Sequence, residues 1–134
     1  MMLLDTHVLV RYARDDDKLG RRSGTAIDRA LSRDEVFISA ISFWELAMLA
    51  SGRRIELQAT MTAFRASVLR DGMQEVPIDG EIAICAGELP EAHGDPADRI
   101  LVATAIIRGC TLVTADQTLL DWKLRGFRTH DATT

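Results

Sequence analysis

The sequence predicts an α/β domain in which helices cover both faces of a central, mostly parallel sheet of four to five strands. Short apolar runs recur along the chain, and an amphipathic stretch follows each of them. This alternation is typical of parallel sheets with a three-layer α/β/α architecture. The joints are short, and no linker or internal repeat interrupts the pattern. The 134 residues are therefore expected to form a single domain, which buries roughly two-thirds of the surface of the unfolded chain.

The first half of the chain opens with two strands, and a helix follows each of them. Met2–Leu4 is a short apolar strand, and Thr6–Ala13 continues as a partly apolar helix. A polar loop over 14–20 precedes a second helix, Arg21–Ser32, whose apolar residues recur at helical spacing. Asp34 and Glu35 then lead into a strand over Val36–Ala40.

The third helix is predicted to begin at Ser42. Ser42 and Glu45 have the capping-box spacing, in which each side chain accepts a hydrogen bond from the backbone of the other. Gly52 ends this helix. The next predicted elements are a loop or short extended piece, an amphipathic helix and a strand, at Arg53–Leu57, Thr60–Asp71 and Gln74–Ile78.

The stretch DPADRILVATAIIRGCTLVTAD, residues 95–116, predicts a capped helix that leads into a buried strand. Asp95 caps the helix, Pro96 suits its first position, and Asp98 lies in the first turn, where the helix dipole favours negative charge. Gly109 ends the helix, and a short β-rich run follows. The strand is predicted at Thr111–Thr114. A helix at Asp79–Leu89 and a loop at Pro90–Gly94 are predicted before this stretch. A short helix at Gln117–Leu124 and an edge strand near Phe127–Thr129 are predicted after it.

Composition excludes several classes of protein. The formal net charge of −4 argues against nonspecific binding of nucleic acid by the whole surface. The longest uncharged apolar stretches are shorter than the ~18 residues of a membrane span, and no targeting segment is visible, so we expect a cytoplasmic protein. Cys85 and Cys110 lie in apolar surroundings, which favours buried thiols over a disulfide.

Four acidic residues fall at the same rim of the predicted sheet. Asp5 ends the first strand, and Glu45 lies one turn into the helix after the second strand. Asp98 starts the helix before a later strand, and Asp116 follows that strand. The carboxyl ends of the strands form the ligand crevice in an open parallel sheet, so we expect all four carboxylates to face this crevice.

Such a rim predicts a metal site. Two ionised carboxylates ~4 Å apart repel each other by about 4 kcal/mol at an effective dielectric constant near 20, and a divalent cation compensates this repulsion. Oxygen ligands without Cys or a His pair favour Mg²⁺, with Mn²⁺ as a substitute, over Zn²⁺. Magnesium held by few carboxylates keeps several waters and completes its shell with phosphate oxygens, which predicts hydrolysis of a phosphodiester.

Each acid also has a purely structural interpretation. Glu45 can be the partner of the Ser42 cap, Asp98 can serve only the helix dipole, and Asp116 can cap the short helix after it. Asp5 directly follows a buried apolar strand, and stability alone explains it poorly. Chance placement of four such acids at one rim is less probable than chance placement of any one, so the metal site is the favoured interpretation.

Several other residues are secondary candidates. Arg11, Arg53, Arg54 and Arg99 are candidate phosphate contacts, since Arg binds phosphate through paired hydrogen bonds. His7 and His93 flank the predicted site, but neither is assigned a catalytic part. Asp95 is expected to be a cap rather than a ligand, and Trp44 a core residue rather than a platform for a base.

Four segments carry a resemblance to a known family. LLDTHVLV at 3–10, SAISFWELAM at 39–48, HGDPADRILVATA at 93–105 and TLVTAD at 111–116 together resemble the PIN-domain ribonucleases. They are most similar to the VapC-type toxins of bacterial type II toxin–antitoxin modules. The resemblance covers nearly the whole chain and implies a PIN-like fold. The acidic quartet of the family falls on the four acids already identified, and its accessory hydroxyls fall on Thr6, Ser42 and Thr114.

The resemblance implies a Mg²⁺-dependent endoribonuclease that cleaves a structured RNA, either tRNA, rRNA or mRNA, and thereby halts translation. It also implies a homodimer that a small VapB-type antitoxin holds inactive. An apolar helix of the antitoxin would pack into a groove near the first helices, and its tail would reach the acidic site.

Two hypotheses from other classes remain. A phosphoacceptor receiver domain also places acids and Mg²⁺ at strand ends, but it needs an adjacent acid pair after the first strand and a Lys at a late strand end. Here Thr6 follows Asp5, and Lys123 falls inside a predicted helix. A catalytically silent module that binds RNA or a partner would keep the fold while losing the carboxylates, yet all four are present.

Overall fold

The computed structural model describes residues 1–55, 59–90 and 95–134. Within these ranges the chain alternates between strands and helices, as its sequence predicts. The strands are β1 Met2–Leu4, β2 Val36–Ser39, β3 Gln74–Val76, β4 Thr111–Thr114 and β5 Arg128–Asp131. The helices are α1 Thr6–Ala13, α2 Arg21–Leu31, α3 Ala40–Ser51, α4 Met61–Arg70, α5 Gly80–Glu88, α6 Pro96–Arg108 and α7 Gln117–Asp121.

The described strands form one parallel sheet in the order β3-β2-β1-β4-β5. β1 lies at the centre, and it pairs with β2 on one side and β4 on the other. The chain winds outward from β1 in both directions, so the strand order reverses beside β1. In open parallel sheets, ligands bind at this switch point, outside the carboxyl ends of the strands.

Side chains of β1 alternate between two apolar cores, one on each face of the sheet. Leu4 packs in a core with residues of α1, α2 and α4, whereas Leu3 packs in a second core with α6 and α7. Both leucines are fully buried. This alternation gives the predicted three layers, because successive residues of a strand point to opposite faces. No helix in the described ranges combines the length and apolarity needed to cross a bilayer.

The predicted boundary of the third helix is wrong by two residues. α3 begins at Ala40, and its N-cap is Ser39, whose hydroxyl accepts a hydrogen bond from the Ile41 N–H at 3.1 Å. The strand therefore passes into the helix without a joint, and the prediction placed both boundaries too late. Ser42 lies inside the helix and is fully buried, so it does not cap it.

Most other differences are shorter elements, whereas β5 begins one residue and ends two residues later than the predicted Phe127–Thr129. β3 ends at Val76, because the next residue is Pro77, which has no N–H for a strand ladder. α7 ends at Asp121, where the backbone of Trp122 becomes extended. The predicted loops over 53–57 and 90–94 fall partly on residues 56–58 and 91–94, which lie outside the described residues.

The last residues of the chain pack against the start of α2. Gly20 N–H donates to the Ala132 carbonyl at 2.8 Å, and Arg22 N–H donates to the Thr134 carbonyl at 2.9 Å. A Cβ atom at Gly20 would lie 2.2 Å from the carbonyl carbon of Thr134, which is closer than real Cβ contacts. Only glycine permits this approach of the two backbones.

Gly20→Ala is therefore expected to destabilise the protein by about 1–3 kcal/mol, since the backbone of the last residues must shift. Gly24→Ala, one turn further into α2, places its Cβ at an ordinary 4.0 Å from Leu19 and is expected to add about 0.5–1 kcal/mol of stability. Urea unfolding of both variants measures these changes. Effects of the same sign would contradict the packing described for residue 20.

Candidate active site

A cavity of about 310 Å³ lies at the switch point, where β1 and β4 end. All four carboxylates that the sequence singles out line it, together with a fifth acid, a histidine, an arginine and an alanine. The lining residues are Asp5, His7, Arg11, Glu45, Asp95, Asp98, Ala115 and Asp116. The structure thus brings the predicted quartet to one place, although a catalytic role for these residues stays a prediction.

Asp5 is the most buried of these acids, with 7% of its surface exposed. One carboxylate oxygen, Oδ1, accepts from the Thr6 N–H at 2.7 Å, and the other, Oδ2, accepts from the Thr114 hydroxyl at 2.6 Å. Burial raises the pKa of the Asp5 carboxyl above its ordinary value, while these two hydrogen bonds act in the opposite direction. Asp5 is therefore oriented from both sides by groups that favour its ionised form.

Thr114 connects Asp5 with Asp116 across the end of β4. Its hydroxyl donates to Asp5 and accepts from the Asp116 N–H at 3.0 Å. Asp116 is also the N-cap of α7, because its Oδ1 accepts from the N–H of Thr118 at 2.9 Å and from the hydroxyl of that residue. Asp116 thus caps α7 with one carboxylate oxygen, as its structural interpretation predicts, and it also lines the cavity.

Glu45 is oriented by hydroxyls rather than by a helix cap. Thr6 Oγ1 donates to Glu45 Oε1 at 2.6 Å, and the Thr6 and Ser42 hydroxyl oxygens lie 2.9 Å apart. Since a hydroxyl carries one hydrogen, the bond between the two hydroxyls uses the hydrogen of Ser42. Burial raises the pKa of Glu45, and the charge of Asp5 adds to this effect. The predicted reciprocal cap between Ser42 and Glu45 is wrong.

The accessory hydroxyls of the resemblance are therefore the groups that orient two of the acids. Thr6 serves both, since its backbone N–H binds Asp5 and its hydroxyl binds Glu45. Thr6, Ser42 and Thr114 are each at most 1% exposed. Buried hydroxyls keep their partners in a defined rotamer, because an unmade hydrogen bond in this environment is costly.

The first turn of α6 contributes two more acids. Asp95 is its N-cap, as predicted, and Asp95 Oδ1 accepts from the N–H groups of Ala97 at 2.9 Å and Asp98 at 3.3 Å. Burial raises the pKa of Asp98 from 3.8 to about 7, and the negative charges of Asp95, Asp5 and the other cavity acids add to it. Sequence reasoning placed Asp95 only as a cap, but its three-residue spacing from Asp98 on one helix start also brings it to the cavity.

The chemistry of these donors fits a hard divalent cation. Five of the eight lining residues are carboxylates. The pKa values of Asp5, Glu45 and Asp98 are all raised, and a nearby cation would lower them. Among the described residues, no three His, Cys, Asp or Glu side chains converge closely enough to hold an ion on their own. Magnesium suits such a spacing, since it takes one or two carboxylates directly and keeps several waters.

The four predicted arginine contacts separate into three groups. Arg11 lines the cavity, whereas Arg53 and Arg54 are exposed beyond the end of α3 and do not line it. The Arg99 side chain donates to the carbonyls of four residues at the end of α5 and just after it. This structural role argues against the predicted phosphate contact for Arg99.

His7 and Trp44 differ in how well the sequence predicted them. His7 lines the cavity, as expected of a residue beside Asp5, while His93 lies outside the described residues. Trp44 was predicted to be a core residue, and this is wrong, because 57% of its surface is exposed. Helix α3 packs through other positions, such as the fully buried Leu46.

Comparison with known proteins identifies the family of the chain. The PIN-domain family profile matches residues 2–122. Ribonuclease VapC22 of Mycobacterium tuberculosis is 38% identical over 119 residues, which span 88% of each chain.

Solved structures with the same fold include a toxin–antitoxin complex from Klebsiella pneumoniae, with a TM-score of 0.65, 21% identity and coverage of 98% of this chain and 99% of that one. Another is VapBC2 from Rickettsia felis bound to a DNA fragment from its promoter, with a TM-score of 0.70, 15% identity and coverage of 97% of both chains. These two likenesses concern the fold alone. On the family profile and the 38% identity, the chain belongs to the PIN-domain family and, within it, to the VapC-type proteins.

Proposed function

We propose that this protein is a Mg²⁺-dependent endoribonuclease toxin that cleaves a structured cellular RNA and so inhibits translation. The observation that carries the proposal is the convergence of four predicted carboxylates on one cavity at the switch point of the sheet. The raised pKa values of Asp5, Glu45 and Asp98 support a site that is completed by a cation. Mn²⁺ is expected to substitute for Mg²⁺, since both are hard ions that prefer oxygen ligands.

The comparisons support the remaining parts of the proposal. The relative at 38% identity is named a ribonuclease, and several structures of the same fold are toxin–antitoxin complexes, some of them bound to DNA. We therefore propose a VapB-type antitoxin as the partner that neutralises the enzyme. A cytoplasmic location and a homodimer complete the proposal, and both come from the resemblance and the composition rather than from a contact in this chain.

Asp5, Glu45, Asp98 and Asp116 would hold the metal ion, one or two of them directly and the others through its bound waters. A bound divalent cation would activate water and offset negative charge on a phosphodiester. Asp5 is fixed by Thr6 and Thr114, so it presents the same face to the cavity in every turnover. Thr6 occupies Oε1 of Glu45 and no hydrogen bond within the described residues reaches Oε2. The Oε2 atom is thus the oxygen of Glu45 that is left to face the cation or its bound water.

Arg11 is the proposed phosphate contact among the four arginines. It lies on α1, lines the cavity, and makes no ion pair with any acid of the described ranges. A guanidinium that faces a negatively charged cavity without pairing to it can bind a phosphate oxygen of the RNA. Arg53 and Arg54 remain candidates for contacts to RNA further from the scissile bond.

Expression of the unaltered chain alone in growing bacteria is expected to arrest growth and to produce new RNA ends. Asp5→Asn and Asp98→Asn should each lower cleavage at least about 100-fold, since even groups that support a metal ligand account for 10–100-fold. Sequencing of RNA 5′ ends and growth curves measure both effects.

Asp79→Asn is the matched control. Asp79 caps α5 outside the cavity, and asparagine caps helices as well as aspartate does. It should arrest growth like the unaltered chain. Arrest by a folded Asp98→Asn protein would contradict its role, and failure of the purified unaltered chain to cleave any RNA with Mg²⁺ or Mn²⁺ would favour a silent binding module.

Without metal, the protein should become less stable as pH rises from about 4 to about 7. Folded Asp98 has a pKa of about 7 and the unfolded carboxyl 3.8, so in this window the folded state holds a proton that the unfolded chain has released. Asp5 and Glu45 are shifted in the same direction. Melting temperatures in a chelator at several pH values measure the slope.

Mg²⁺ should raise the melting temperature more at pH 8 than at pH 5, because protons compete with the ion for the carboxylates. Asp98→Asn should flatten much of the slope seen in the chelator, since it removes the most clearly shifted group. Glu75 and Asp131, whose pKa values are lowered by their hydrogen bonds, contribute alike to both proteins. An identical slope in the unaltered chain and in Asp98→Asn would therefore contradict the shift assigned to Asp98.

A further inference from the structure

The side chain of Arg99, on α6, makes hydrogen bonds to the end of α5 beside the acidic cavity. Its Nε donates to the Ala86 carbonyl at 3.0 Å, and its Nη1 donates to the Pro90 carbonyl at 3.0 Å. Its Nη2 reaches the carbonyls of Gly87 and Leu89. One guanidinium thus binds four backbone acceptors over residues 86–90, which form the end of α5 and the turn after it.

Two of these carbonyls, those of Ala86 and Gly87, belong to the last turn of α5, and those of Leu89 and Pro90 follow it. The last four C=O groups of a helix have no N–H within the helix to bind them. At the end of α5, the next residue, Leu89, is already extended, and the Arg99 guanidinium serves as the cap from another element. A cation at this end also interacts favourably with the helix dipole.

The backbone of Arg99 belongs to the turn that carries the acids. Arg99 N–H donates to the Asp95 carbonyl at 3.0 Å, which is the first α-helical bond of α6. Asp98 precedes Arg99, and Asp95 caps the same turn through the N–H of Asp98. Arg99 therefore belongs to the first turn of α6 by its backbone, and its side chain contacts the end of α5.

We propose that Arg99 is a positioning residue of the active site, whose guanidinium holds the first turn of α6 against the end of α5 and so fixes where the Asp95 and Asp98 carboxylates stand. The proposal rests on the proposed function, because it concerns the same acidic cavity. Arg99 acts through the two acids and does not touch the substrate.

The geometry of the contacts requires arginine rather than any cation. A guanidinium presents five N–H donors in a planar fork, and Arg99 uses three of its nitrogen atoms on different carbonyls. A lysine ammonium is a compact charge with three donors, so it cannot reach the same spread of acceptors. Arg99→Lys thus keeps the charge and loses the fork.

The test is binding of Mn²⁺ alone to the purified full-length chain, measured by calorimetry without RNA. Arg99→Lys and Arg99→Ala should each weaken the affinity about 10-fold or more, as expected for groups that orient metal ligands. Arg108→Lys is the matched control on the same helix, since the Arg108 side chain is exposed and its ion pair with Asp79 spans 3.9 Å. It should bind Mn²⁺ like the unaltered chain.

Two further measurements separate positioning from a general loss of stability. Guanidinium at low millimolar concentration should restore much of the affinity of Arg99→Ala, whereas the same concentration of sodium chloride should not. Gly20→Ala is destabilised at a remote site and should keep the unaltered affinity below its melting temperature. If Gly20→Ala loses as much affinity as Arg99→Lys, the effect is one of stability and the proposal is overturned.

The outcomes distinguish this proposal from the function on which it rests. If the unaltered chain binds Mn²⁺ and Arg99→Lys binds it equally well, Arg99 has no positioning role, and the proposed function stands. If the unaltered chain binds no Mn²⁺, the metal site itself fails, and the role of Arg99 fails with it. Circular dichroism at the temperature of the titration verifies that each variant is folded.

Discussion

Repulsion between partly buried carboxylates is the constraint on which this structure depends. Burial favours the neutral form of a carboxyl group, and each neighbouring negative charge adds to that preference. Asp98 shows both effects, with a pKa near 7 that burial causes first and four other acids reinforce. Such an arrangement costs stability in the free protein, and a hard divalent cation would relieve the repulsion.

The fold supplies this arrangement through its topology rather than through local sequence. Parallel pairing brings the ends of β1 and β4 together, which places Asp5 beside Thr114 although 109 positions separate them. Glu45 comes from α3, which follows β2, and Asp98 comes from α6, which leads into β4. The surrounding hydrogen bonds come from Thr6, Ser42 and Thr114, so the groups that hold the acids are neutral and do not cancel the charge that a cation needs.

The sequence predicted the layers, the parallel sheet and the meeting of the four acids, because each depends on strong local signals. Apolar runs define strands, and an acid at a strand end or helix start has a position that topology then fixes. The capping box at Ser42 failed because a serine three residues earlier caps the helix, and two serines at such spacing are locally equivalent. The true partner of Glu45 is Thr6, 39 positions away, which no local pattern contains.

The side chains of Arg99 and Trp44 were beyond prediction for the same reason. An arginine beside an acidic site is compatible with phosphate binding or with a structural cap, and the cap becomes visible only from the folded position of the end of α5. Trp44 is a large apolar side chain of the kind found in cores, but it lies on the exposed side of α3, whereas Leu46 and Phe43 pack into the core.

The most direct measurement is a crystal structure of the protein with Mn²⁺, using the anomalous scattering of the metal. We expect an anomalous peak inside the cavity at the ends of β1 and β4, with carboxylate oxygens of Asp5 and Asp98 or their bound waters around it. A well-ordered cavity without a peak at saturating Mn²⁺, in a crystal whose carboxylates are all paired with protein groups, would contradict the presence of a metal site.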